Sequence, residues 1–170
     1  RTFDSSGNVS HRNWTSGYLK VVVMAAKGNS TTVYTGGQEL SFRAHRNGSA
    51  QAIANATWTK IQFTHTNFNQ GSKYDNSTNY RFTPTVAGRY RLNAGVYYNA
   101  ISNEKTARIA IYKNGSAYAV QEHDLAGMTG HHMLQINTLV ESDADDYFEV
   151  YTYHNEGDTE NISGDSLYTY

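Results

Sequence analysis

Apolar residues in this chain recur at every second position in short runs, and nowhere at the three-to-four spacing of a sustained amphipathic helix. The run 89–99 is the plainest case. Tyr90, Leu92, Ala94, Val96 and Tyr98 fall on one face, and Arg89, Arg91, Asn93 and Tyr97 on the other. Such alternation predicts a half-buried strand. The same pattern predicts strands over 18–26, 31–35, 39–45, 57–66, 79–85, 107–113, 116–121, 133–141 and 145–155, with 167–170 ending the chain. Ala107, Ile109 and Ile111 read as inward, as do Leu134, Ile136 and Val140. Turn chemistry separates the runs: Ala87-Gly88, Ser142-Asp143-Ala144-Asp145 and above all Asn114-Gly115, whose two residues both tolerate the positive φ of a tight hairpin. Strands at this spacing predict an all-β, antiparallel sandwich, roll or barrel. Residues 1–38, with Gly- and Ser-rich turns, read as a short N-terminal β lead-in, and 39–170 as the head.

One predicted strand raises a question that the pattern alone does not answer. Phe148, Val150 and Thr152 form one face of 145–155, but the other carries Tyr147, Glu149, Tyr151 and Tyr153. A soluble strand normally shows water something more polar. The composition has the same bias: 13% of the 170 residues are aromatic, 14 of them Tyr, while only 17% are charged. Disordered chains are biased the other way, so a folded domain rich in contact surface is expected. Formal net charge is −1, which offers no field for nucleic acid or anionic lipid. Without Cys there is no disulfide, thiol nucleophile or zinc–thiolate site. The longest apolar run, 21–26, is strand-sized and far short of a membrane helix.

Four stretches stand out: "ELSFRAHRNG" (39–48), "YRFTPTVAGRYRLNAGVYYN" (80–99), "ARIAIYKNG" (107–115) and "VESDADDYFEVYTYH" (140–154). Together they resemble the C1q/tumour necrosis factor family of trimeric jelly rolls, most closely its C1q-like branch. The resemblance covers 39 to the end of the chain. Asp145 stands where the family has a turn Gly, and the family's closing aromatic-Ser-Gly-aromatic-Leu strand is only begun by Leu167, Tyr168, Thr169 and Tyr170. The resemblance implies a homotrimer with Tyr97, Tyr151 and Tyr153 in the subunit contact. Burial arithmetic points the same way: a Tyr removes about 150–250 Å² from water, and at ~25 cal/mol per Å² of apolar area three rings are worth several kcal/mol.

Candidate chemistry is sparse. His131-His132 and His123-Asp124 offer imidazoles, but adjacent strand residues face opposite ways, and a solvated pair is the simpler reading. Glu141, Asp143, Asp145 and Asp146 supply hard oxygens of the kind calcium takes, yet Asp is also a standard turn residue. No nucleophile elbow, His-Glu-x-x-His or P-loop is present, and nothing singles out a carboxylate pair among Glu122, Asp124 and Glu156. No catalysis, cofactor or metal is expected. Eight Asn-x-Ser/Thr sequons, at Asn8, Asn13, Asn29, Asn47, Asn55, Asn76, Asn114 and Asn161, are glycan acceptors only on a secretory route. The polar stretch 65–79 mixes Phe68, Asn69, Lys73 and Tyr74 and reads as a ligand-contact loop, with 100–105 and 156–165 as lesser candidates.

The expectation is therefore a non-catalytic trimeric recognition head at the tip of an extracellular fibre, a phage or other viral fibre, or a bacterial one. Its partners would be an upstream fibre or stalk and a host-surface glycan or protein, with no nucleic acid and no membrane insertion. The alternatives are a secreted C1q/TNF-like ligand for a protein receptor, or a purely structural virion part.

Overall fold

Period-two patterning becomes an antiparallel all-β structure. The computed structural model describes residues 2–3, 9–10 and 40–170 other than 103 and 128. The chain divides into two units, Arg1–Gly37 and Gln38–Tyr170. In the first, β1 (Thr2–Phe3) pairs antiparallel with β2 (Val9–Ser10). The strands predicted over 18–26 and 31–35 lie outside the described residues.

The second unit contains β3 (Phe42–His45), β4 (Gln51–Ile53), β5 (Thr59–Lys60), β6 (His65–Asn69), β7 (Tyr74–Asp75), β8 (Arg81–Phe82) and β9 (Gly88–Ile101). It continues with β10 (Thr106–Lys113), β11 (Ser116–Asp124), β12 (Gly130–Ser142), β13 (Phe148–His154) and β14 (Glu160–Ile162). One sheet has six strands in the order β11-β10-β13-β8-β7, with β5 also on β13; the other has four, β12-β9-β14-β4. β3 and β6 form a separate pair.

The inward faces of the two sheets make the core in a sandwich-like arrangement. Val96 and Tyr98 of β9 and Leu134 and Val140 of β12 meet Ile109 and Ile111 of β10 and Phe148 of β13, all buried. Tyr98 reaches across: its hydroxyl lies 2.8 Å from Thr152 Oγ1, and Thr152 donates at 2.8 Å to the Arg108 carbonyl. Thr152 therefore accepts from Tyr98, and a buried polar chain ties the sheets together. Burial pushes the Tyr98 phenol up.

Asn114 and Gly115 take φ of 52° and 78° and close the β10–β11 hairpin, as positive-φ tolerance requires. Elsewhere boundaries moved. The predicted 57–66 strand is laddered at Thr59–Lys60 and again at 65–66, the start of β6; between them Gln62 N–H bonds the Gln51 side chain instead of a strand. The predicted 79–85 strand shrinks to Arg81–Phe82, since Tyr80 and Thr85 both have positive φ. Residues 167–170 turn back over Asp165, whose carboxylate and carbonyl take the N–H groups of Leu167, Tyr168 and Thr169. The last strand is instead β14, inside the stretch predicted as a 156–165 loop.

Candidate functional site

The tyrosine face of β13 points out of the six-stranded sheet, where it meets neighbours that the sequence did not announce. Tyr151 stacks on Tyr112 of β10 at 4.1 Å between centroids, and Tyr153 lies 5.5 Å from Trp58. Trp58 also meets Tyr112 edge-on, and the Arg108 guanidinium sits 4.9 Å over the Tyr153 ring. Arg108 is paired with Glu122 as well. Glu149 shares this outward face yet is buried; Lys60 of the paired strand β5 satisfies it at 2.9 Å. The result is a half-buried aromatic platform rimmed by paired charges. Burial raises the Tyr112 and Tyr151 phenols, Tyr151 being raised further by Glu149. Tyr112 was legible as the outward neighbour of Ile111, but the place of Trp58 beside it was not, because it depends on the pairing of β5 with β13.

Tyr97 is not part of that platform. β9 and β13 belong to different sheets, so Tyr97 is parted from Tyr151 and Tyr153, with which the resemblance grouped it. Its strand neighbour Tyr98 and the latter's partner Thr152 both point into the core, so Tyr97 and Tyr151/Tyr153 emerge from opposite sides of the sandwich. Tyr97 stacks instead on Tyr168 at 4.9 Å and on His131 at 5.5 Å. On the same outward face β12 adds Met133 and Leu139, and Leu139 is 63% exposed.

The stretch 65–79 is a loop only at 76–79, which wrap the Asp75 carboxylate. The rest is β6, a 3₁₀ turn Gln70–Ser72 and β7. Asn69 holds the turn, donating through Nδ2 to the Tyr74 carbonyl and accepting from the Tyr74 N–H, so its amide is already used. Lys73 is half-buried and its carbonyl accepts from Thr83 N–H. Tyr74 is buried, stacked on Phe42 at 4.9 Å, and cannot serve as a surface contact. Only Phe68 stands out, and it shares with Tyr74 the lining of an open cavity of about 340 Å³. Phe42, Phe63, Phe82 and Phe148 line it too, so every phenylalanine after Phe3 is gathered there.

In the acidic turn the Asp146 carboxylate is taken up by protein, while Glu141, Asp143 and Asp145 are exposed. Asp146 accepts from Lys113 at 2.7 Å, Asn114 Nδ2 at 2.6 Å and the Asp143 N–H at 2.7 Å. Those bonds, Lys113 first, hold its carboxyl at about 2. The Asn114 sequon amide is spent on this turn, and that of Asn76 on the Thr64 carbonyl; the sequons at Asn8, Asn13 and Asn29 lie outside the described residues. Among the described residues no three His, Asp or Glu side chains converge as a metal site.

His131 and His132 part as strand neighbours must. His131 goes outward to Tyr97, while His132 Nε2 lies 2.8 Å from His123 Nδ1, and His123 Nε2 lies 2.8 Å from Gln121. With the Gln121 amide donating, His123 donates to a neutral His132. Protonating His132 would set two N–H groups against each other, and burial and the His123 charge both lower its pKa. A folded pKa below the free value of about 6.5 means that the unfolded chain binds the proton first, so stability falls as pH drops below that value. Melting temperature should therefore decline from pH 7.5 to 5, and the decline should be smaller in His132→Gln. The loss from Asp146 belongs to a separate window below about pH 4, where its depressed carboxyl protonates. An equal decline in the variant would remove His132 as the cause.

No known family matches this chain. No curated protein matches it either. Function is therefore read from the two aromatic exteriors and the phenylalanine cavity themselves. No helix among the described residues is long and apolar enough to cross a membrane.

Proposed function

We propose that residues 38–170 are the non-catalytic recognition head of a homotrimeric surface fibre, a jelly roll of C1q/TNF type, presented by a stalk at a virion or cell surface. The observation that carries this reading is the pair of aromatic exteriors on a rigid sandwich. One, around Tyr97, Tyr168, Met133 and Leu139, sets aromatic and apolar groups beside the exposed Arg89, Arg91 and Glu141, and its exposed Leu139 suits self-association. The other, Trp58, Tyr112, Tyr151 and Tyr153 with Arg108, suits a glycan or protein partner. In this reading Tyr97 lies in the trimer contact, while Tyr151 and Tyr153 leave it for the recognition face. The jelly-roll assignment is supported by strand order: from β8 to β14 the chain passes repeatedly between the sheets, as two nested Greek keys require. Three copies turn weak single contacts into avid ones when sites on the target match their spacing.

Light scattering of the chain at micromolar concentration should give the mass of three copies, and a monomer would overturn the assembly. For recognition, a glycan array and whole-cell binding are the direct assays. Trp58→Ala with Tyr153→Ala should lower cell binding by more than about tenfold, as loss of two anchoring rings does at other interfaces. If the unaltered head binds no cell and no glycan, the part is structural. If the double variant binds normally, recognition lies elsewhere on the head.

A further inference from the structure

We infer that His123 and His132 form a two-imidazole site for a divalent transition-metal ion, copper(II) before zinc(II), which clips the two sheets together where their edge strands meet. The topology brings the pair about. β11 ends the six-stranded sheet and β12 ends the four-stranded one. His123 is paired across its ladder with Ala107 and His132 with Tyr98, both fully buried, so each imidazole turns inward between the sheets. There His123 Nδ1 and His132 Nε2 come within 2.8 Å, with the ring centroids 5.0 Å apart.

Two ring nitrogens at that distance need something between them. If both are bare their lone pairs oppose, and if both are protonated two N–H groups collide; one proton or one metal ion resolves the conflict. Imidazole nitrogen bonds such an ion at about 2.0–2.1 Å, so two nitrogens in neighbouring right-angled positions stand about 2.8–3.0 Å apart. The pair already has that separation, and only the tilt of the rings about their Cβ–Cγ bonds has to change. Right-angled positions belong to tetragonal copper(II), whereas tetrahedral zinc(II) spreads its nitrogens further. Copper(II) also leads the order of affinity for nitrogen ligands.

The surroundings suit an ion. Gln121 lies 2.8 Å from the other nitrogen of His123, Nε2. With its carbonyl turned to that nitrogen it accepts the Nε2 proton and leaves Nδ1 free to ligate, as the outer partner of a metal-bound histidine does. Beside His132 an open cavity of about 280 Å³, lined also by Leu125, Thr129 and Gly130, gives water access to the remaining coordination positions. β11 has the most to gain. None of its nine residues is buried, and those it turns inward, Ala119, Gln121 and His123, are small or polar. An ion held by both sheets supplies the anchorage that packing does not.

The test titrates the whole untagged chain with copper(II) sulfate and, separately, with zinc(II) chloride by calorimetry. One ion per chain is expected, with copper(II) held about tenfold or more tightly. His123→Gln and His132→Gln should each weaken copper(II) binding about tenfold or more, since either leaves a single imidazole. His131→Gln should leave it unchanged, because that ring lies outward on Tyr97. At one equivalent, electron paramagnetic resonance should show copper(II) coupled to two imidazole nitrogens in the parent and to one in either variant. Copper(II) should also slow amide hydrogen exchange in 116–124 of the parent and leave it unchanged in the variants. The spectrum and the exchange of the parent decide the matter even if a variant fails to fold. Coupling to fewer than two nitrogens overturns the proposal, as does exchange in 116–124 indifferent to copper(II). So does zinc(II) bound as tightly as copper(II), or binding that survives both substitutions but not His131→Gln. All of this is read on single chains, independently of whether the head trimerises.

Discussion

Tyr98→Ala is expected to cost about 3–5 kcal/mol of stability, the range for emptying a large aromatic site in a closed core. Tyr98 heads the largest fully buried side chains, and both sheets depend on it. The substitution removes its apolar contacts, its edge-on contact with His154 at 5.5 Å, and the hydroxyl that Thr152 accepts from. Chemical denaturation should show the midpoint falling with little change in slope, and Tm should drop by more than about 10 °C. Tyr98→Phe separates the contributions. It keeps the ring and loses one buried hydrogen bond, worth about 0.5–1.5 kcal/mol, because Thr152 still donates to the Arg108 carbonyl. An alanine variant within about 1 kcal/mol of the parent would mean that this ring does not bridge the sheets.

The second large effect concerns assembly. Tyr97→Glu should convert the proposed trimer to monomers without altering the far-UV spectrum of a β protein. Each copy would carry a carboxylate into the contact, and an unpaired buried charge costs far more than the surrounding apolar area returns. Tyr97 points away from the core and within one chain stacks only on the surface rings of Tyr168 and His131, so the sandwich should survive its loss. Tyr151→Glu, on the opposite sheet, should leave the mass unchanged. The family resemblance implied all three tyrosines in one contact; their separation makes the pair of variants a sharp test. If Tyr151→Glu dissociates the trimer and Tyr97→Glu does not, the assembly runs through the six-stranded sheet. If neither does, these rings have no part in it.

The placement of these rings shows how far alternation reaches. Period two correctly divided β9, β10, β12 and β13 into inward and outward residues, because a strand buried on one face has only one register that hides its apolar set. The Asn114-Gly115 hairpin was equally legible, since its chemistry is local. Short strands were not. β5, β8 and β14 have two or three residues each, and their ends are set by positive φ at Tyr80 and by side chains such as Gln51 standing in for a ladder.

The candidate sites divide along the same line. Phe68 and Tyr74, chosen as loop contacts, proved to flank an internal space, because 65–79 folds as strand, turn and strand and carries Tyr74 inward. The acids of 141–146 looked like ligands only until Lys113 and Asn114, about thirty residues earlier, arrived beside Asp146. His123 and His132, nine residues apart, meet only because β11 and β12 lie in facing sheets.

By itself the sequence determined that this protein is an antiparallel all-β structure, which residues of its long strands face the core, and that its outward faces hold too many tyrosines for plain solvation. These are consequences of local geometry and side-chain chemistry, which neighbours in the chain suffice to express. Only the tertiary structure decided which strands share a sheet. That choice put Tyr97 on one exterior and Tyr151 and Tyr153 on the other, and gathered five phenylalanines around one cavity. Strand order depends on contacts between residues far apart in the chain, and no period within a strand encodes them.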